Sequence, residues 1–205
     1  MKKRAGNTKD RILEIALDLF SKRGFSAVSI RDISSTVGIK ESTIYYYFTN
    51  KQDIFDTLLQ TVVEMINDIK SKFNEQFEIN EKVEKTAFIG VGCSVLFGFY
   101  LDQNVLRFFR MLTIEQNINE KAACVYKYIF IDIPLQQNTE VFQKMMDKGH
   151  FRQDDARCLA TEYYGIIYFV FHKYFSSNNA DAEVKVKAEM ELTTLLDRFF
   201  DRYNK

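Results

Sequence analysis

A chain of 205 residues with one proline and eight glycines has little with which to turn corners. A sheet protein of this size needs a turn roughly every eight to twelve residues, built largely from those two residue types. Long helices joined by few connections are what remain. Hydrophobic residues make up 46% of the chain and charged residues 27%, a globular composition that supports one domain or two small ones. The expected fold is all-α, with about nine helices.

The helices can be placed from their apolar spacing. Thr8 can cap a first helix carrying Ile12, Ile15, Ala16, Leu19 and Phe20, which Gly24 closes after Lys22 and Arg23. Ser29 starts a short second helix with Ile30, Ile33 and Val37 as its stripe, ended by Gly38. Lys40 to Tyr47 makes a third. Asn50 caps a fourth from Lys51 towards Phe73, with Ile54, Leu58, Val62, Met65 and Ile69 inward. Helical periods continue in Glu81–Leu101, Gln103–Gln116, Glu120–Lys148, Asp154–Phe175 and Ala180–Tyr203. Pro134 should kink or break the third of these, Gly149 should end it, and Ser176–Asn179 reads as a polar loop.

The formal net charge of zero conceals an asymmetry. Met1–Lys51 holds ten Lys or Arg against five acids, and the remainder carries the opposite excess. A basic head on an acidic body suits a protein whose head alone meets a polyanion. Cys93, Cys124 and Cys158 show no metal-binding spacing and stand in apolar contexts, so buried free thiols in a reducing compartment are expected. The basic N-terminus leads into an amphipathic segment rather than an apolar signal core. No apolar stretch reaches the ~20 residues of a membrane span. A cytoplasmic protein is expected, with no membrane partner.

The informative string is SIRDISSTVGIKESTIYYYF, Ser29 to Phe48. Two short helices flank Gly38, which can adopt the positive φ of a tight turn. Ile33 and Val37 can close a small core with Ile39 and Ile44. The second helix of the pair is then free to present Lys40, Glu41, Ser42 and Thr43, residue types that hydrogen-bond base edges or phosphates. Tyr45, Tyr46 and Tyr47 bring phenolic hydroxyls within reach of phosphates, and Lys51 adds a charge at the start of the fourth helix.

From Thr8 to Asp56 the chain resembles the DNA-binding domain of the TetR family of bacterial transcriptional regulators. The resemblance rests on ILEIALDLFSKRGF, on SIRDISSTVGI, and above all on TIYYYF followed by TNKQDIF. It implies a DNA-binding head over residues 1–50 and a helical regulatory body over 51–205. That body would hold an effector pocket and a four-helix-bundle dimer interface. By position, Ser29 and Arg31 would lie near the DNA backbone, Lys40 to Thr43 in the major groove, and the three tyrosines with Lys51 on phosphates. Many members carry Lys-Gly where Glu41-Ser42 stands, and His where Tyr47 stands. Glu41 can accept from a cytosine amino group, or pair with Lys40 or Lys51.

Nineteen Phe and eleven Tyr, with no Trp, fill mainly the body. They can build a core or line a cavity for a flat apolar ligand. The resemblance places a pocket among the middle helices, where Phe97, Tyr100, Phe108, Met111, Tyr126 and Tyr164 are the candidates. It also implies a homodimer through the last two helices. Leu159, Tyr163, Ile166, Ile167 and Val170 on one helix, and Met190, Thr194, Leu195, Asp197 and Phe199 on the other, would form that interface.

The function expected is therefore a regulator, usually a repressor, that binds a near-palindromic double-stranded operator as a dimer. A small effector releases it. The rival is a DNA-organising or division-control protein of the same fold that uses no inducer. An enzyme is not expected. His150 and His172 are the only histidines and stand beside no nucleophile or metal-ligand spacing, and neither a phosphate loop nor a GxSxG elbow occurs. No cofactor and no metal are implied.

Overall fold

The structure is a computed structural model describing residues 8–76, 83–176 and 181–205, the side chains of 72–76 excepted. Within these residues the chain forms nine unbroken helical runs and no sheet. The head holds α1 (Thr8–Arg23), α2 (Ile30–Val37) and α3 (Glu41–Tyr47), followed by the long α4 (Lys51–Gln76). Then α5 (Lys85–Ser94) widens into a π-helical stretch, Val95–Tyr100, and α6 (Gln103–Glu115) follows. Helix α7 (Glu120–Lys127) passes through a second π-helical stretch, Tyr128–Asp132, into α8 (Ile133–Asp147). Helices α9 (Ala156–Phe175) and α10 (Ala182–Tyr203) complete the fold.

Where a kink or break was expected at Pro134, the helix instead continues, widened just before it into the second π stretch. The proline itself is the second residue of α8, directly after that stretch. Gly24, Gly38 and Gly149 all take positive φ, 77°, 81° and 75°, at the helix ends where they were expected. Part of the SSNN loop, and the expected helix starts at Glu81 and Ala180, lie outside the described residues. Helix α10 is instead capped by Asp181, whose carboxylate accepts from Val184 N at 2.9 Å.

Packing divides the chain into two compact units. The first is the chain to Glu75 together with Gln103–Ile129; the second is Gln76–Asp102 with Phe130–Lys205. The regulatory part expected from residue 51 onward thus contributes α4, α6 and α7 to the unit that contains the head. In the first unit Ile12, Ala16 and Phe20 of α1, with Phe108, Met111 and Leu112 of α6, are buried. Helix α4 buries Ile54, Leu58, Val62 and Ile66, whereas Met65 is half-buried and Ile69 is exposed.

The second unit is organised around Phe88. Its ring stacks on Phe199 (centroids 5.9 Å apart) and lies 5.2 Å from Phe200, 5.3 Å from Tyr163 and 5.8 Å from Phe151. Burial raises the Tyr163 phenol well above its ordinary pKa. Helices α5 and α10 approach closely at Gly92, where a Cβ would run into Leu196 Cδ1.

Two expectations are corrected here. Leu159, Tyr163, Ile167, Val170 and Phe199, expected on a dimer face, are buried inside the second unit of a single chain. Their apolar spacing marked the core side of α9 and α10 rather than the outward side. The outward sides carry Phe169 (54% exposed), Val186 (55%) and Met190 (67%); Met190 and the exposed Thr194 are the members of the expected face that do lie outward. The cysteines are free as expected but not all buried: Cys124 and Cys158 are exposed and Cys93 is half-buried.

Candidate nucleic-acid interface

The helix-turn-helix is built from a few fixed points. Ser29 caps α2 in a full capping box: Asp32 N donates to Ser29 Oγ at 3.1 Å, and Ser29 N and Oγ both donate to Asp32 Oδ2 at 2.8 Å. At the other end the N–H groups of Gly38 and Ile39 return to Ser34 O, at 2.9 and 3.0 Å. Ile33, Val37 and Ile44 are buried as expected, and Phe48 joins them, while Ile39 is half-buried. Those contacts fix which side of α3 looks outward.

Glu41, Ser42, Tyr45 and Tyr46 occupy that outward side at helical spacing, with Tyr46 81% and Tyr45 54% exposed. Lys40 is exposed at the N-cap, while Thr43 and Tyr47 flank the face half-buried. The Tyr46 and Tyr47 rings meet edge to face at 4.9 Å. Arg31 is exposed on α2.

Two expected contact residues have other work. The Ser29 hydroxyl is held within the capping box. The bonds from Ser29 keep the Asp32 carboxyl below its ordinary pKa of 3.8. Its stabilising contribution is therefore complete above that value and is lost as pH falls through the lowered one. Ser29→Ala is expected to cost about 1 kcal/mol, the usual worth of an N-cap. It should also flatten this part of the acid limb in a pH series of urea melts, and an unchanged acid limb would count against the box.

Lys51, expected on a phosphate, has its ammonium on the protein instead. It donates to Phe25 O and Val28 O, both at 2.7 Å, and lies 4.2 Å from the Phe25 ring centroid. Partial burial lowers its pKa. The reason is the α1–α2 turn, which places two carbonyls over the first turn of α4. Asn50 and Thr49 serve the same helix end: Asp53 N donates to Asn50 Oδ1 at 3.0 Å, and Thr49 donates to Asp53.

The pocket candidates divide between the units. Phe108, Met111 and Tyr126 belong to the first, where the first two are buried and Tyr126 packs on Phe109 at 5.9 Å. Phe97, Tyr100 and Tyr164 belong to the second. There the Tyr100 and Tyr164 hydroxyls are hydrogen-bonded, and Tyr164 also donates to Phe130 O. Phe171 covers the Tyr100 ring at 4.7 Å, and burial drives the Tyr164 phenol far above its ordinary range. Phe97 stands nearer Phe175, edge to face. Separately, a groove of about 660 Å³ between α4 and α7 is lined by Leu59, Val63, Cys124 and Val125, with the Asp56–Lys121 ion pair beside them. It contains none of the six candidates.

Glu115 and Phe25 were not anticipated. Glu115 is 2% exposed, and its carboxylate accepts from Phe25 N at 2.8 Å. The signal was present in the sequence: an acid standing on the buried stripe of Phe108, Met111 and Leu112 needs a partner.

An all-helical chain that opens with a helix-turn-helix, presenting hydroxyls, a lysine and two tyrosines on its second helix, has the form of a DNA-binding protein. Residues 12–58 of that head match the family model of the bacterial regulatory proteins of the tetR family. A relative in Staphylococcus aureus (strain Newman), the biofilm operon icaADBC HTH-type negative transcriptional regulator IcaR, is 33% identical over 61 residues. The match takes in 30% of this chain and 33% of IcaR, so the chain spans about a third of the length of that relative. The fold is shared with solved structures well beyond the head. A TetR-family regulator structure from Mesorhizobium loti MAFF303099 superposes with a TM-score of 0.70 at 17% identity, covering 100% of both chains. The SmeT–triclosan complex superposes with 0.71 at 14% identity, covering 97% of this chain and 92% of SmeT. No single helix among the described residues is long and apolar enough to cross a membrane.

Proposed function

We propose that this protein is a transcriptional repressor that binds a near-palindromic operator as a homodimer and is released by a small, largely apolar or aromatic effector. The observation that supports it most is the outward face of α3, with Glu41, Ser42, Tyr45 and Tyr46 exposed on a helix anchored behind by Ile44 and Phe48. In this reading Lys40 to Thr43 read base edges, while Arg31, Tyr45, Tyr46 and Tyr47 reach the phosphates. Ser29 and Lys51 hold the motif in shape. The dimer forms through the outward sides of α9 and α10, where Phe169, Val186 and Met190 are exposed. A flat effector with one polar group suits the Tyr100–Tyr164 pair, whose buried hydroxyls stand among aromatic rings. IcaR is a negative regulator and SmeT is solved with triclosan, in keeping with both halves of the proposal.

Selection from a random duplex library tests it. Wild-type protein should enrich a sequence with two-fold symmetry, and failure to enrich any sequence rejects the proposal. Glu41→Ala and Thr43→Ala should each shift the enriched sequence at a distinct position, costing about 1–3 kcal/mol on the original duplex with little change on random DNA. Equal losses on both duplexes would remove these two residues from base reading.

A further inference from the structure

Phe25 occupies the turn between α1 and α2, and side chains from α1, α4 and α6 converge on it. Its ring packs against Phe20 of α1 at 5.5 Å and Phe55 of α4 at 5.0 Å. Its N–H donates to Glu115 of α6, and its carbonyl accepts from Lys51 of α4, whose ammonium also lies over its ring. Gly24, immediately before, has φ 77°, and a Cβ there would crowd Ile114 Cγ2 at 3.1 Å and Glu115 Oε1 at 3.3 Å. The turn is thus pressed against the end of α6, with opposite charges on the two backbone groups of one residue. Lys51 then carries the hold onward to Val28 O, next to the Ser29 cap of α2.

We infer that Glu115, lying 90 residues beyond Phe25, is a positioning residue for DNA binding. Together with Lys51 it clasps Phe25 and so sets the seat from which α2 and α3 meet the duplex. The inference rests on the DNA-binding reading above. A buried carboxylate is costly unless it is hydrogen-bonded, and its bond to a backbone N–H gives it both partner and direction. Reach, rather than charge, is what the clasp requires of this side chain. Asp is one methylene shorter and falls short of the Phe25 N–H; Gln keeps an acceptor at the same reach without the charge.

The test uses full-length protein and the duplex that the wild type enriches from a random library, with affinities expressed per folded molecule. Glu115→Asp and Glu115→Ala are expected to weaken binding about tenfold, the scale of a lost hydrogen bond, while Glu115→Gln stays within about threefold of wild type. The salt dependence should not change in any of the three, because no phosphate contact is removed. The Phe25 amide should exchange faster in the Asp and Ala variants and not in the Gln variant. Glu115→Ala and Lys51→Met combined should cost less than the sum of the two, since both release the same residue. Should Glu115→Ala fail to fold, the Asp and Gln pair carries the test alone. Folded Glu115→Asp protein that binds as wild type, or a Gln variant that loses as much as the Asp one, overturns the clasp. A library that enriches no duplex overturns both the clasp and the DNA-binding reading, whereas an enriched duplex that is blind to these variants overturns the clasp only.

Discussion

Ile44→Ala is expected to abolish binding to every DNA sequence. Ile44 is fully buried, and it is the side chain by which a helix of only seven residues is fastened to α2. A helix that short does not persist by itself in water, so α3 exists only as long as its inner face is held. Truncating a buried Ile to Ala costs about 2–5 kcal/mol, enough to leave α3 frayed in most molecules. The loss should differ in kind from that of Glu41→Ala, which leaves the helix in place and changes only what it reads. Amide exchange over residues 30–48 should accelerate towards the unprotected rate, and binding to selected and random duplex should fall together. Retention of random-duplex binding by Ile44→Ala would show that the motif tolerates the cavity.

Phe88→Ala should bring the largest loss of stability in the second unit, about 3–5 kcal/mol. The side chain touches five other aromatic rings, from α8, from α9, from α10 and from Phe151, and truncation leaves a cavity that rigid rings close poorly. Domains of this size are stable by about 5–15 kcal/mol, so the loss is a large share of the whole. Urea melts followed by circular dichroism would show a lower midpoint, and Phe88→Leu should recover part of it. A midpoint unchanged by Phe88→Ala would mean that the cluster is filler rather than a keystone.

Much of this was legible beforehand because short-range rules govern it. The three glycines at helix ends, the Ser29 cap and the burial of Ile33, Val37 and Ile44 follow from local spacing and φ preferences. Lys51 was misplaced because a cation at a helix start reads equally as a phosphate contact. Only the fold shows that the carbonyls of Phe25 and Val28 lie above it. The side of α9 turned outward was misread for a related reason, whereas on α10 Met190 and Thr194 do lie outward and only Phe199 is buried. Tyr163, Ile167 and Val170 are apolar at helical spacing, and so is any face that packs on α8 or α10. The outward side carries fewer apolar residues, spaced among charges. Cys124 and Cys158 were assigned to the interior from apolar neighbours, yet a helix exposes one residue in every few whatever stands beside it in sequence.

The first compact unit is assembled from two separated stretches of chain, and this bears on how such proteins can be recombined. A head cut out at residue 50 would leave behind α4 and α6, against which its own α1 packs, and would expose Phe20 and Phe25 to water. A chimera that joins this head to a different helical body should therefore bring α4, α6 and α7 along, or else rebuild their contacts on the recipient. The piece that can be exchanged is set by packing, and it is discontinuous.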